Sequence, residues 1–126
     1  MPDACRALLD INVILDVFQR RQPLYDDSAA VLAAAETGRL SGLVAAHSVT
    51  TLFCLLARYG SAEQPRVHIL DVLSVLGVAA VDGHVLEQAL ALPHRDLEDA
   101  VQMAAARQAG LITCDDPEEA LDAASE

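Results

Sequence analysis

The stretch Ala7-Leu8-Leu9-Asp10-Ile11-Asn12-Val13-Ile14-Leu15-Asp16-Val17-Phe18 decides how this chain folds. Its first three residues are a short apolar run that stops on Asp10, the pattern of a buried strand. Residues 13–18 then read as a short helix. A strand running straight into a helix, with an acid at the junction, is the opening of an α/β domain.

Working outward, the polar run Gln19-Arg20-Arg21-Gln22-Pro23 reads as a loop. Residues 25–37 look helical, with Leu24, Val31, Leu32 and Ala35 on one side and Gly38 as the stop. Residues 42–46 read as a second strand. Ser48 is placed to cap the next helix, where Val49, Leu52, Phe53, Leu56 and Tyr59 keep a helical period. After a loop over 60–64, Pro65 opens another helix whose stripe is Ile69, Val72, Leu73 and Leu76, with Gly77 as its stop. Residues 78–81 read as a third strand, followed by an Asp82-Gly83 turn. Residues 85–92 and 97–109 read as helices ended by Pro93 and Gly110. A fourth strand over 111–113 and a last short helix over 117–124 complete the pattern. Strands alternating with helices predict a mostly parallel central sheet of four to five strands flanked by helices. No linker or repeat divides residues 1–126, so a single domain is expected.

Composition narrows the class. Of 126 residues, 53% are hydrophobic but only 3% aromatic, so the core must come from Leu, Val, Ala and Ile. Disorder and collagen-like character are excluded by that hydrophobicity and by 6 Gly and 5 Pro. With 8 basic residues, all Arg, against 19 acidic ones, the net charge of −11 excludes binding of nucleic acid chiefly through overall positive charge. Cys5, Cys54 and Cys114 stand far apart, with no C-x-x-C pair, which fits neither a zinc site nor a disulfide framework. A reducing, cytoplasmic compartment is expected. The apolar start is interrupted by Asp10, Asn12 and Asp16, unlike a signal peptide, and no apolar run reaches the about 20 residues of a membrane span.

In parallel sheets, ligand sites form beyond the carboxyl ends of the strands. Asp10 closes the first strand, Asp115 follows the fourth after Thr113 and Cys114, and Asp96, Glu98 and Asp99 crowd the start of the long late helix. Carboxylates converging on one rim repel each other unless a cation sits among them. Oxygen ligands suit Mg²⁺ or Mn²⁺. Asp96 reads first as an N-cap and Asp99 equally as an acid favoured by the helix dipole. Asp115 also fits a turn before Pro117. Asp16, one turn beyond Asn12, reads as a hydrogen-bonding residue that holds the first loop.

These segments resemble the PIN-domain family, which includes VapC-like toxin ribonucleases. Residues 8–16 resemble its opening signature. Asp96-Leu97-Glu98-Asp99-Ala100-Val101-Gln102, with Ala104-Ala105-Ala106, resembles its third-acid helix, and Leu111-Ile112-Thr113-Cys114-Asp115 its closing strand and acid. The resemblance runs from about residue 7 to 116. It implies an endoribonuclease dependent on Mg²⁺ or Mn²⁺, in which Asp10, Asp99 and Asp115 hold the metal. Asn12 and Thr113 would position acids and water for in-line attack on an RNA phosphodiester. It further implies an antitoxin partner and self-association as a homodimer. The family usually carries a second acid, a Glu, on the helix after the second strand; here Thr51 stands in that place, and the segment after residue 116 lacks an apolar fifth strand.

Other residues are less specific. His47 reads as a loop or capping residue, His94 and Arg95 could touch a phosphate, Cys114 reads as a small buried residue, and Arg20 and Arg21 as a solvated doublet. Three other classes compete. One is a PIN-like module that binds RNA or a protein without cutting. A phosphatase or phosphoreceiver is disfavoured because Asp10-Ile11-Asn12 lacks the second Asp of a D-x-D motif and the chain has no Lys. A purely structural acidic domain leaves the order of three acids at strand ends unexplained.

Overall fold

The computed structural model describes residues 5–59 and 64–114, together with Leu121. Four strands make one parallel sheet: β1 (Cys5–Leu9), β2 (Leu40–Ala45), β3 (Gly77–Ala79) and β4 (Ile112–Cys114), in the order β3-β2-β1-β4. Six helices connect them: α1 (Ile11–Phe18), α2 (Tyr25–Glu36), α3 (Ala46–Tyr59), α4 (Pro65–Val75), α5 (Gly83–Ala91) and α6 (Leu97–Ala109). The first and last strands are neighbours, with Leu9 opposite Cys114. These are the residues immediately before Asp10 and Asp115 in the chain.

Because β1 is covered on both faces, its apolar run is continuous, as expected for a central parallel strand. Its side chains alternate. Ala7 and Leu9 join Leu40 and Val44 in a core closed by Val13, Ile14, Val31, Leu52, Leu56 and Val72 of α1 to α4. Leu8 joins Ala45, Ala79 and Ala106 on the opposite face, next to the α5–α6 layer of Val85, Ala89, Val101 and Ala105. Every buried hydrophobic residue is Ala, Val, Leu or Ile, as the composition requires. With layers of helices on both sides of the sheet, the α/β architecture expected from the sequence is present.

Several local expectations need correction. The second strand runs over Leu40–Ala45 and passes into α3 without a loop, so Ser48 lies inside the first turn of α3 rather than capping it. Gly77 does not stop α4. That helix ends at Val75, Leu76 turns extended and inserts its side chain into the core, and Gly77 opens β3. Asp82-Gly83 is not a free turn, because Asp82 caps α5 by accepting from the Val85 amide at 3.0 Å. Leu24, Tyr59 and Leu73, counted among the apolar stripes, are exposed. Gly38 and Gly110 do end their helices, with φ of 81° and 70° in the left-handed region. Arg20 does the same after α1 at φ 49°. The helix expected over 117–124 and any fifth strand fall outside the described residues, except that Leu121 packs on the α1–α4 core.

Candidate active site

Asp10 sits at the carboxyl end of β1 and is also the N-cap of α1. Its Oδ1 accepts from the Asn12 amide at 2.8 Å, and the residue is 9% exposed. A strand that passes directly into a helix leaves no slack, so this carboxylate is held by both the sheet and the first turn of α1.

The second acid comes from α6. Asp96 is the N-cap, as expected: its Oδ1 accepts from the Glu98 amide at 2.9 Å and from the Asp99 amide at 3.3 Å. Its own amide donates to His94 Nδ1 at 3.2 Å. The Asp99 carboxyl takes up a proton more readily than an ordinary aspartate. Burial is the main cause, followed by the negative charges of Asp96 and then Asp10, with His94 opposing them. The charges of Asp10 and Asp99 are thus near enough to feel each other, although 89 residues separate them in the chain.

From α3, the Thr51 hydroxyl reaches Glu98 Oε2 at 3.4 Å. One turn earlier, His47 Nε2 lies 3.1 Å from the Glu98 carbonyl oxygen. His47 is therefore neither a loop residue nor a cap, but a link between α3 and the start of α6. Its Nδ1 and the hydroxyl of Ser48 are buried without a hydrogen-bond partner among the described residues. Sequence reasoning sets Glu98 among the acids at this helix start but assigns it no role. The signal is there only in part: His47 and Thr51 stand four residues apart on one helix face, but nothing local says which element they meet.

Asn12 is tied to the far end of α1. Arg21 Nη2 donates to the Asn12 carbonyl at 3.2 Å and to its Oδ1 at 3.3 Å, and pairs with Asp16 Oδ1 at 3.0 Å. Asp16 Oδ2 accepts from the buried Ser28 hydroxyl at 2.9 Å. Asp16 accordingly holds the first loop, as read from the sequence. Arg21 is not a free solvated residue, because its guanidinium closes this network.

Asp115 lies outside the described residues, and of Thr113 only the strand backbone belongs to the description. Among the described residues no three His, Cys, Asp or Glu side chains form a metal-holding group. The donors that do approach one another, Asp10 and Asp99, are both hard carboxylates, which suits Mg²⁺ or Mn²⁺ in chemistry. A cleft of about 260 Å³ between α5 and α6 is lined by His84, Gln88, Leu92, Ala104, Arg107 and Gln108, so it involves none of these acids. No described helix is long and apolar enough to cross a membrane.

Residues 6–116 match the family model described as PIN domain. No curated protein is a sequence match. Among solved structures, the fold is similar to that of the VapC20 toxin of Mycobacterium tuberculosis, described as cleaving the sarcin-ricin loop. The TM-score is 0.65 at 16% identity, covering 83% of this chain and 84% of that one.

Proposed function

This chain belongs to the PIN-domain family, and from that membership we propose that it is a divalent-metal-dependent endoribonuclease acting as the toxin of a type II toxin–antitoxin pair. The observation that carries the reading is the mutual approach of Asp10 and Asp99, from the end of β1 and the first turn of α6. The likeness to a toxin that cleaves ribosomal RNA supports it at the level of fold.

In this reading Asp10, Asp99 and Asp115 hold Mg²⁺ or Mn²⁺. The register that sets Leu9 opposite Cys114 favours Asp115 as the third member. Such an ion supplies Lewis-acid stabilisation of phosphoryl charge and eases deprotonation of water. The remaining work belongs to the chain's own groups. Asp96 fixes the first-turn amides of α6 and so aims Asp99. Asn12, its oxygen held by Arg21, and Thr113 orient the acids and the attacking water, and Thr51 steadies the Glu98 carboxylate. Arg21 puts positive charge beside Asn12, where an RNA phosphate arrives against a net charge of −11.

The same acidity suits a basic antitoxin segment. An apolar cleft between α1, α2 and α4, lined by Phe18, Leu32, Val72 and Val75 with Glu36 and Asp71 beside them, offers it a surface. Acting on cellular RNA, the protein works in the cytoplasm, as a single domain able to form a homodimer. One observation favours a second reading, a catalytically weakened module that binds RNA or a partner without cleavage: Thr51 stands where an acid is usual.

The test is cleavage of labelled single-stranded RNA with Mn²⁺ or Mg²⁺, comparing wild type, Asp99→Asn and a chelator control. Metal-dependent cutting that Asp99→Asn abolishes is the expected result. Retention of RNA without cutting selects the second reading. Neither binding nor cutting across a panel of RNAs rejects both.

A further inference from the structure

Glu98 is the one acid at this rim whose side chain is seen to cross to another helix. It precedes Asp99 in the first turn of α6, and successive helix residues diverge by about 100°. Asp99 therefore feels Asp10, while Glu98 turns toward α3. There Thr51 donates to Glu98 Oε2 at 3.4 Å, and His47 meets the Glu98 carbonyl oxygen at 3.1 Å. The side chain is half-buried between the two helices. A glutamate at position 51 would extend two bonds beyond the Thr51 hydroxyl. Its carboxylate would then enter the space that the Glu98 carboxylate now takes.

We propose that Glu98 is the displaced second acid of this site, a carboxylate delivered from α6 to the α3 position that Thr51 leaves uncharged. The proposal rests on the nuclease reading. Thr51 carries no charge but offers a hydroxyl, which is the group needed to hold a carboxylate arriving from across the interface. Because no three acids among the described residues form a direct ligand group, Glu98 acts at one remove. It adds negative charge to the ion site and orients solvent there, as a positioning residue. Outer partners of this kind are worth about 10-fold or more in metal affinity.

The experiment is calorimetric titration of the full chain with Mn²⁺, comparing wild type, Glu98→Gln, Thr51→Glu/Glu98→Gln and Asp99→Asn, with apo melting temperatures alongside. The amide of Glu98→Gln keeps an oxygen that accepts from Thr51, so the apo melting temperature of this variant should match wild type. Its Mn²⁺ affinity should fall about 10-fold. Thr51→Glu in that background should recover most of the loss, since the charge returns from the other helix. Wild-type affinity in Glu98→Gln overturns the proposal, as does a loss that Thr51→Glu leaves unrepaired in a folded protein. If Asp99→Asn alone abolishes binding, the nuclease reading stands and this inference falls. If wild type binds no Mn²⁺, both fall. Should the double variant not fold, Glu98→Gln against Asp99→Asn still decides.

Discussion

The guanidinium of Arg21 lies 3.0 Å from the carboxylate of Asp16, which sets a residue beyond the end of α1 back against the helix it follows. Through the same Nη2 it reaches Asn12, two residues past Asp10, so the end of α1 braces its beginning. Asp16 in turn bonds Ser28 on α2. The acid at the end of β1 is therefore supported by a chain of contacts that runs through α1 into α2, apart from the acids of α6.

The first prediction tests that support. Asp16→Ala should destabilise the protein by about 2–3 kcal/mol, because it leaves the buried Ser28 hydroxyl unpaired and removes the partner of Arg21. Arg21 is exposed and can return to water, which keeps the loss below that of a fully buried pair. Asp16→Asn retains an acceptor for Ser28 and should lose less. Urea unfolding midpoints of the two variants compare them directly; equal midpoints for Asp16→Ala and wild type would remove Asp16 from the framework.

Asp99 gives a prediction in which stability and activity move in opposite directions. Burial and the charges of Asp96 and Asp10 raise its proton affinity in the folded state. The folded protein thus holds that proton more tightly than the unfolded chain. The contribution to stability is complete below the ordinary value of 3.8 and is lost as pH rises through the elevated one. At neutral pH the ionised group is a liability. Asp99→Asn should therefore melt above wild type at neutral pH, with the gap closing as the pH falls below 4. RNA cleavage should drop by roughly 100-fold or more. Thermal melts across pH, run beside the cleavage assay, check both; a variant that is less stable at neutral pH and more stable in acid would reverse the assigned sign.

Much of this was legible in the chain. The apolar run before Asp10, the caps at Asp96 and Gly110 and the span of α6 rest on local signals, since propensity, capping and period all act within a few residues. What escaped was set by packing at a distance. Leu76 and Gly77 look like a helix end followed by a stop. Their actual roles, a core wedge and a strand start, depend on Gly42 of the neighbouring strand. Ser48 looks like a cap because a loop is the ordinary way from strand to helix, yet β2 enters α3 directly. Asp10, Asp96 and Asp99 could be read as a group from their places at strand and helix ends. The crossing of Glu98 to Thr51 could not, because it depends on how α3 and α6 pack.

Asp96 separates capping from chemistry. Asp96→Ala removes the acceptor for the Glu98 and Asp99 amides and should cost about 1 kcal/mol. Asp96→Ser restores a capping oxygen without charge and should recover most of that stability. It also removes one of the charges that raises the proton affinity of Asp99, so the acid-side gain expected of Asp99 should shrink in Asp96→Ser. Chemical denaturation at neutral and acid pH reads both effects, and equal stability of the Ala and Ser variants would show that the cap contributes nothing.

Gly42 is required by a close approach rather than by its backbone angle. A β-carbon built there would lie 2.8 Å from Leu76 Cδ2, with Leu9 Cδ1 at 3.4 Å and the Ala35 β-carbon at 3.5 Å. Leu76 is the buried wedge between α4 and β3, and the end of its side chain is the part able to shift. Gly42→Ala should therefore cost only about 1 kcal/mol, as one methyl displaces the leucine tip. Gly42→Val sets branched carbons against Leu9 and Ala35 as well, in a core without slack, and should cost about 3 kcal/mol. Pairing each change with Leu76→Ala tests the cause. The smaller wedge should relieve Gly42→Ala almost fully and Gly42→Val in part, so the double mutants should be more stable than the summed single losses allow. Strict additivity of Gly42→Ala with Leu76→Ala would mean that the two residues do not compete for the same space.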